Sequence, residues 1–230
     1  MLRKTLILCL IAAVASCAGV QTEKEADLHY KLGVSSLKDG KYQAAFVEFQ
    51  RALELNKHDK DIYNALGYVY IKFEDLDKAK QSFEKAVKID PEFSDAYNNL
   101  CLVDYGRKEF SEAVSSCQRA LSNPLYATPE KAFFNLGRAY YRLKDYDGAA
   151  KAFNSAIIRA GDYYPAYYML ALAYNAKDDF GSASDALDKA VKFDPHYKGD
   201  LSKAEKDFRN GLNLPVEKAD ASQLVEIFKY

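Results

Sequence analysis

The sequence predicts an all-α fold, a solenoid of helix-turn-helix units, and three observations lead there. The chain repeats itself at a spacing of 34 residues, the same residue types return at fixed repeat positions, and proline-bearing punctuation separates helix-length stretches. Gly33 and Gly67 lie 34 apart, as do Gly67 and Cys101. Cys101 to Gly137 is 36, a two-residue insertion, and Gly137 to Ala171 is 34 again.

Aligned on these residues, five repeats span 26–59, 60–93, 94–127, 130–163 and 164–197. Position 7 is leucine in each: Leu32, Leu66, Leu100, Leu136 and Leu170. Position 20 is alanine in each (Ala45, Ala79, Ala113, Ala149, Ala183), and so is position 27 (Ala52, Ala86, Ala120, Ala156, Ala190). Position 24 reads Phe49, Phe83, Cys117, Phe153 and Leu187. Fifteen identities at three positions leave chance no room, and the pattern resembles the tetratricopeptide repeat family. The resemblance implies a superhelix in which each repeat contributes two antiparallel helices, A and B.

Packing explains the pattern. A small residue at position 8 lets helix A approach helix B at the alanine of position 20, while rings and leucines at positions 4, 7, 11 and 24 fill the space between helices. Tyr63, Tyr97, Phe133 and Tyr167 take position 4, and Tyr70, Tyr140 and Tyr174 take position 11. Much of a composition with 18 tyrosines, 13 phenylalanines and no tryptophan is thereby assigned to core rather than to a cofactor box. Asp90-Pro91 and Asp194-Pro195 end helices, because proline cannot continue one. Thr128-Pro129-Glu130 starts one, with Thr128 as cap and Pro129 in the first turn. One repeat cannot bury its own apolar face, so stability comes from stacking, and the open ends need polar caps. Residues 198–230 are expected to form capping helices or a degenerate sixth repeat, with helices over 200–212 and 218–229 separated by Asn213-Leu214-Pro215.

The N-terminus is expected to be a processing segment. Arg3 and Lys4 precede an apolar run from Leu6 to Val14, nine residues where a membrane-spanning helix needs about 20. Val14-Ala15-Ser16-Cys17 resembles the lipobox of bacterial lipoproteins, which implies a signal peptide over 1–16 and a lipid on Cys17. An ordinary secretory signal, with Cys17 incidental, is the alternative. Ala18 stands where some lipoproteins carry an inner-membrane-retaining aspartate, so the resemblance points to the periplasmic face of the outer membrane. Residues 17–25 read as a lipidated tether reaching at most ~30 Å when extended. With Cys9 leaving in the signal, Cys101 and Cys117 remain at positions 8 and 24 of the third repeat. They are either a disulfide or two buried thiols.

Chemistry is sparse. Hydrophobic residues make up 49% and charged ones 28%, a globular balance, and a net charge of −1 offers no footprint for nucleic acid. His29, His58 and His196 fall in separate repeats with no metal-ligand spacing, and His29 takes the core-ring position 4. Phosphate-binding loops and nucleophile elbows are missing from the sequence. The reading is therefore a binding protein, not an enzyme, with no cofactor, no metal and no small-molecule substrate.

Its candidate site is the concave face that helices A line through positions 2, 5, 9, 12 and 13. That face gathers Tyr30, Val34 and Leu37; Asn64, Tyr68 and Ile71; Asn98, Leu102 and Tyr105. Phe134, Arg138, Tyr141 and Arg142 continue it, followed by Tyr168 and Leu172. The Lys/Asn/Arg set with which chaperone-adaptor members clamp a C-terminal carboxylate is missing, since Val34 and Asp95 occupy its places. Aromatic and aliphatic side chains with asparagines between them suit a peptide with apolar anchors, Asn64 and Asn98 bonding its backbone. The alternative is that several of these side chains pack against their neighbours or the C-terminal cap.

Beyond the repeat, the chain resembles the secretin pilotins of type IV pili, the PilF/PilW/Tgl group of outer-membrane lipoproteins. The resemblance rests on Asn123-Pro124-Leu125-Tyr126-Ala127-Thr128-Pro129 leading into Asn135-Leu136-Gly137, and on Thr22-Glu23-Lys24-Glu25 followed by His29-Tyr30 and Leu32-Gly33. It implies an accessory lipoprotein that helps secretin subunits reach the outer membrane and multimerise, its partner being the secretin subunit. That family usually carries six repeats, whereas five are clear here. A general periplasmic adaptor for cell-envelope or peptidoglycan-processing enzymes is the competing expectation.

Overall fold

The computed structural model describes residues 21–230. The expected signal peptide, the lipidation site Cys17 and the start of the tether lie outside the described residues. The rest of the tether is corrected: residues 21–25 are not extended but belong to a helix, α1, that continues to residue 38. No Gly or Pro interrupts residues 21–32, so nothing local stops the first A-helix from extending N-terminally past the repeat boundary.

The helices follow the repeat in A/B pairs: α1 with α2 (Tyr42–Leu55), α3 (Lys60–Lys72) with α4 (Leu76–Ile89), and α5 (Ser94–Gly106) with α6 (Phe110–Leu121). Next come α7 (Pro129–Arg142) with α8 (Tyr146–Arg159), and α9 (Tyr164–Asn175) with α10 (Phe180–Phe193). The C-terminal segment adds α11 (Leu201–Arg209), a 3-10 turn (Lys218–Asp220) and α12 (Ala221–Ile227). Two compact units divide within α5, one up to Asn99 and one from Leu100. Among the described residues no helix is long and apolar enough to cross a membrane.

Local chemistry sets the helix boundaries. The carboxylates of Asp59, Asp75, Asp145, Asp179 and Asp200 each accept a backbone N–H from the first turn of the following helix. Thr128 makes no such side-chain bond, contrary to its expected capping role. Pro129 in the first turn has a φ already set for the helix and no N–H to leave unpaired, which favours a helix start without a side-chain cap. Every A–B turn is built alike. Repeat position 15 is left-handed in all five repeats: Gly40 (φ 72°), Glu74 (60°), Lys108 (63°), Lys144 (63°) and Asp178 (59°). The next residue's N–H returns to the carbonyl five residues back, as Asp75 does to Tyr70 at 2.9 Å and Glu109 to Asp104 at 2.8 Å.

All ten alanines of positions 20 and 27 are completely buried. The close approach at position 8 is made to position 24 rather than to the alanine of position 20. A Cβ built on Gly33, Gly67 or Gly137 would stand 2.5 Å from the ring of Phe49, Phe83 or Phe153 respectively. In the third repeat the same two positions are Cys101 and Cys117, both fully buried, with sulfurs 2.11 Å apart and Cα atoms 5.2 Å apart. Position 7 is buried in four repeats, but Leu32 is 46% exposed, since no helix precedes α1 among the described residues to cover it. His29 is a half-buried ring whose Nδ1 lies 2.7 Å from the Glu48 carboxylate on α2, which ties the first helix pair together.

Two tests follow from this packing. Gly137→Ala has to push the Phe153 ring aside and should destabilise the chain by about 1–3 kcal/mol, read as a lower urea midpoint. Thiol titration of the unfolded, unreduced chain should find Cys101 and Cys117 unreactive. Reduction should cost about 3 kcal/mol for a loop of this length; alkylation of Cys101 and Cys117 themselves before reduction, mapped by peptide mass, would disprove the bond.

Candidate protein-binding groove

In the unit ending at Asn99, the candidate residues gather on the exposed side of α1 and α3. Tyr30, Val34 and Leu37 on α1 are half-buried against the core made by Phe49, Ile62 and Val69. On α3, Asn64 and Ile71 are half-buried and Tyr68 is 41% exposed, with the Lys72 ammonium 5.1 Å from its ring centre. Asn64 Oδ1 accepts a hydrogen bond of 2.8 Å from Asn99 Nδ2, so its carbonyl side is already engaged within the unit. Asn98, half-buried on α5, belongs to the same unit. Burial, then the nearby Asp61 and Asp59 carboxylates, push the Tyr30 hydroxyl above the usual tyrosine value. The Asp61 carboxyl is raised in turn by burial and by Asp59, outweighing the opposing effect of Lys60, with Asp95 and Asp90 adding to the rise.

The unit beginning at Leu100 treats the same repeat positions differently. Leu102 is 37% exposed, but at Tyr105, Arg138, Tyr141 and Arg142 the expected groove is filled by the chain's own C-terminal segment. After α11, the segment turns at Asn213-Leu214-Pro215 and α12 packs on α9, burying Leu224, Val225 and Ile227. The segment thus crosses the A-helices, where a sixth B-helix would instead pack behind α11.

A polar network fixes it there. Arg142 forks onto buried Asp220 through two bonds of 3.0 and 2.5 Å, and also meets Glu217 at 2.8 Å. Arg142 Nε donates to the Tyr105 hydroxyl at 2.9 Å, and that hydroxyl donates to Glu217 at 2.5 Å. Arg138 reaches Glu217 at 3.2 Å and stacks on the Tyr105 ring, 4.0 Å from its centre. The Tyr141 hydroxyl donates to Gln223 at 3.0 Å. Its bond to Asp220 holds the Arg142 guanidinium firmly charged. Burial pushes the Glu217 carboxyl upward, but the Tyr105 hydroxyl and the two arginines outweigh it and hold it below the usual carboxylate range.

The expectation of an open groove is therefore corrected for Tyr105, Arg138, Tyr141, Arg142, Tyr168 and Leu172. Tyr168 and Leu172 are completely buried, the Tyr168 hydroxyl bonding Asp194 at 3.1 Å. Phe134 packs against Phe153 and Tyr163. Sequence reasoning missed Glu217, Asp220 and Gln223. Their signal was an acidic pair spaced three apart after Pro215, matching arginines spaced four apart on α7. Among the described residues no group of His, Cys, Asp and Glu is placed to hold a metal ion.

Paired helices with glycine-to-ring contacts, identical turns and an A-helix face bearing the variable residues define a repeat-built interaction scaffold. The tetratricopeptide repeat family matches residues 36–101, 102–165 and 134–198, and the chain belongs to it. Among solved structures of the same fold is PilF of Pseudomonas aeruginosa, with a TM-score of 0.73 and 19% identity over 90% of this chain and 89% of that one. PilW, described as a widely conserved type IV pilus biogenesis factor, aligns at 0.70 with 18% identity over 89% of this chain and 98% of its own. YrrB, a tetratricopeptide repeat protein described as having an unusual peptide-binding site, aligns at 0.62 with 23% identity, covering 83% and 97%. At such identities the likeness is one of fold. No curated protein sequence matches the chain.

Arg142→Ala leaves Asp220 buried without its partner and should weaken seating of the C-terminal segment by about 3 kcal/mol. Faster amide exchange across 216–228, with α3 and α4 unchanged, is the expected readout. The Glu217 value is depressed on folding, so its contribution is complete above the ordinary carboxylate value and is lost as pH falls through the lower, folded one. Exchange protection of 216–228 should accordingly persist at neutral pH and decline below about pH 4.5, near the ordinary glutamate value.

Proposed function

We propose that this chain is a non-catalytic scaffold, lipid-anchored through Cys17 on the periplasmic face of the outer membrane, that serves as a pilotin for a type IV pilus secretin. The observation that carries the binding part is the A-helix face of α1 and α3, where Tyr68 stays exposed beside Tyr30, Val34 and Ile71. A monomeric solenoid gains nothing from aromatic and aliphatic side chains on that side, whereas a partner segment would bury them. The fold likeness to PilF and PilW supports the choice of a pilus system, and the Val14-Ala15-Ser16-Cys17 motif supports the anchor. A lipid on the scaffold would keep a bound secretin subunit at the membrane it has to enter.

A second reading, a general periplasmic adaptor for envelope-processing enzymes, draws on the likeness to YrrB with its peptide-binding site. Membranes of a deletion strain separate the two. Under the pilotin reading, unboiled samples lose the heat-resistant secretin multimer and retain monomer, and wild type restores the multimer while Cys17→Ser does not. An unchanged multimer would refute the pilotin reading and leave the adaptor.

A further inference from the structure

We infer that the A-helix face of the unit ending at Asn99 receives a basic amphipathic segment of its partner, whose apolar side seats on Val34, Tyr68 and Ile71 and whose lysines or arginines meet Asp27, Asp61 and Asp95. This inference rests on the reading that the face binds a protein, and names the chemistry of what it binds.

The chain itself contains an example of how such a face is filled. In the unit beginning at Leu100, the occupant is an amphipathic stretch of the chain's own C-terminus. It buries Leu224, Val225 and Ile227 and sets Glu217 and Asp220 against Arg138 and Arg142 of repeat positions 9 and 13. The principle of that seat is an apolar side flanked by charge opposite to the face.

In the other unit, the same face keeps its apolar stripe but reverses its charge at one edge. Repeat position 2 is aspartate three times running (Asp27, Asp61, Asp95), where the fourth repeat has Lys131. Asp59, Asp95 and Asp90 all act on Asp61, and Asp59 and Asp61 act on Tyr30 of the neighbouring helix. Glu23, Lys24, Asp27, Tyr30, Asn56 and Asp59 also line a cleft of about 400 Å3 at the same edge, three carboxylates to one ammonium. Nearby lysines only partly offset the charge. Lys31 pairs with Asp27 in an exposed contact, and Lys60 is engaged with Asp90 at 2.5 Å. Lys38 and Lys72 at position 13 mark the opposite edge, so the cationic flank of the occupant is directed to the aspartate side. Burial is the main reason the Asp61 carboxyl is raised, and the neighbouring Asp59, Asp95 and Asp90 add to it; an incoming ammonium or guanidinium would offset those carboxylates.

The test uses the full chain and two labelled helical peptides of about 15 residues with identical Leu/Ile faces, one flanked by lysine and the other by glutamate. Fluorescence anisotropy should show the lysine peptide binding at least about tenfold more tightly than its counterpart at low salt, with the gap closing as salt rises. Combining Asp27→Asn, Asp61→Asn and Asp95→Asn should remove that preference with helicity unchanged by circular dichroism, whereas Tyr68→Ala should weaken the lysine peptide and Arg138→Ala should not. Equal binding of both peptides, an unaltered preference in the triple variant, or binding of neither peptide would overturn the inference. Equal binding that Tyr68→Ala still weakens would overturn the charge rule alone and leave the face as a binding site. Loss of the secretin multimer in the Tyr68→Ala strain tests that reading independently of either peptide.

Discussion

The contact on which this architecture depends is the meeting of repeat positions 8 and 24 within each helix pair. A tetratricopeptide unit is two short helices that neither nucleate nor persist well alone, so their stability comes from the surface they bury against each other. At Gly33, Gly67 and Gly137 that surface is a bare backbone facing the edge of a phenylalanine ring, with no room for even a methyl group. The third repeat fills the same space with the sulfurs of Cys101 and Cys117, and the fifth with Ala171 and Leu187, both buried. Three chemistries thus satisfy one geometric requirement, a fixed interhelical distance. Once that distance is met, the buried alanines of positions 20 and 27 follow, and so does the turn, whose left-handed residue is non-glycine in four repeats. Non-glycine residues in that conformation cost about 1–2 kcal/mol each, which the returning backbone bonds and the packing of the flanking helices offset.

With the helix pairs fixed in this way, the A-helix face becomes free to vary, and the two units use that freedom in opposite ways. The later unit closes its face with the chain's own 214–228, held by a forked arginine–aspartate contact and a tyrosine that bridges donor and acceptor. Such a seat serves two physical ends at once. It covers the apolar ends of repeats that no further helix pair continues, and it withdraws two arginines and several rings from any outside ligand. The earlier unit has no comparable cover among its described residues, and Tyr68 on its A-helix face stays exposed.

The repeat and the identity of most core positions were readable from residue spacing, because a period of 34 forces equivalent residues into equivalent environments. Departures arose where a residue's environment is set by something other than its repeat position. Leu32 fits the core pattern but lacks a neighbour on one side, and Thr128 fits the capping pattern but precedes a proline that removes part of the demand. The groove was harder. Position numbers placed Arg138, Tyr141 and Arg142 on the A-helix face, as the structure also does, yet their accessibility depends on where residues more than 70 positions later fold. That long-range seating has no periodic signature, since the C-terminal segment abandons the repeat. Only charge matching between an arginine pair and an acidic pair hinted at it.

Net charge concealed the same information. A total of −1 averages a face edged by aspartates with a face bearing arginines that the chain neutralises itself. Electrostatic recognition responds to the local field, which falls off within about 8–10 Å at physiological salt, so an average over 230 residues carries no weight at a site a few residues wide. What matters is the sign of each face and whether its counter-charge comes from within. The arginines of α7 have theirs in Glu217 and Asp220, and can offer an outside ligand little without first releasing α12. The aspartates at position 2 of the first three repeats are only partly compensated, and burial raises the cost of that imbalance at Asp61. In a fold whose helix pairs are otherwise interchangeable, that difference distinguishes a face whose counter-charge comes from within the chain from one whose charge is only partly met.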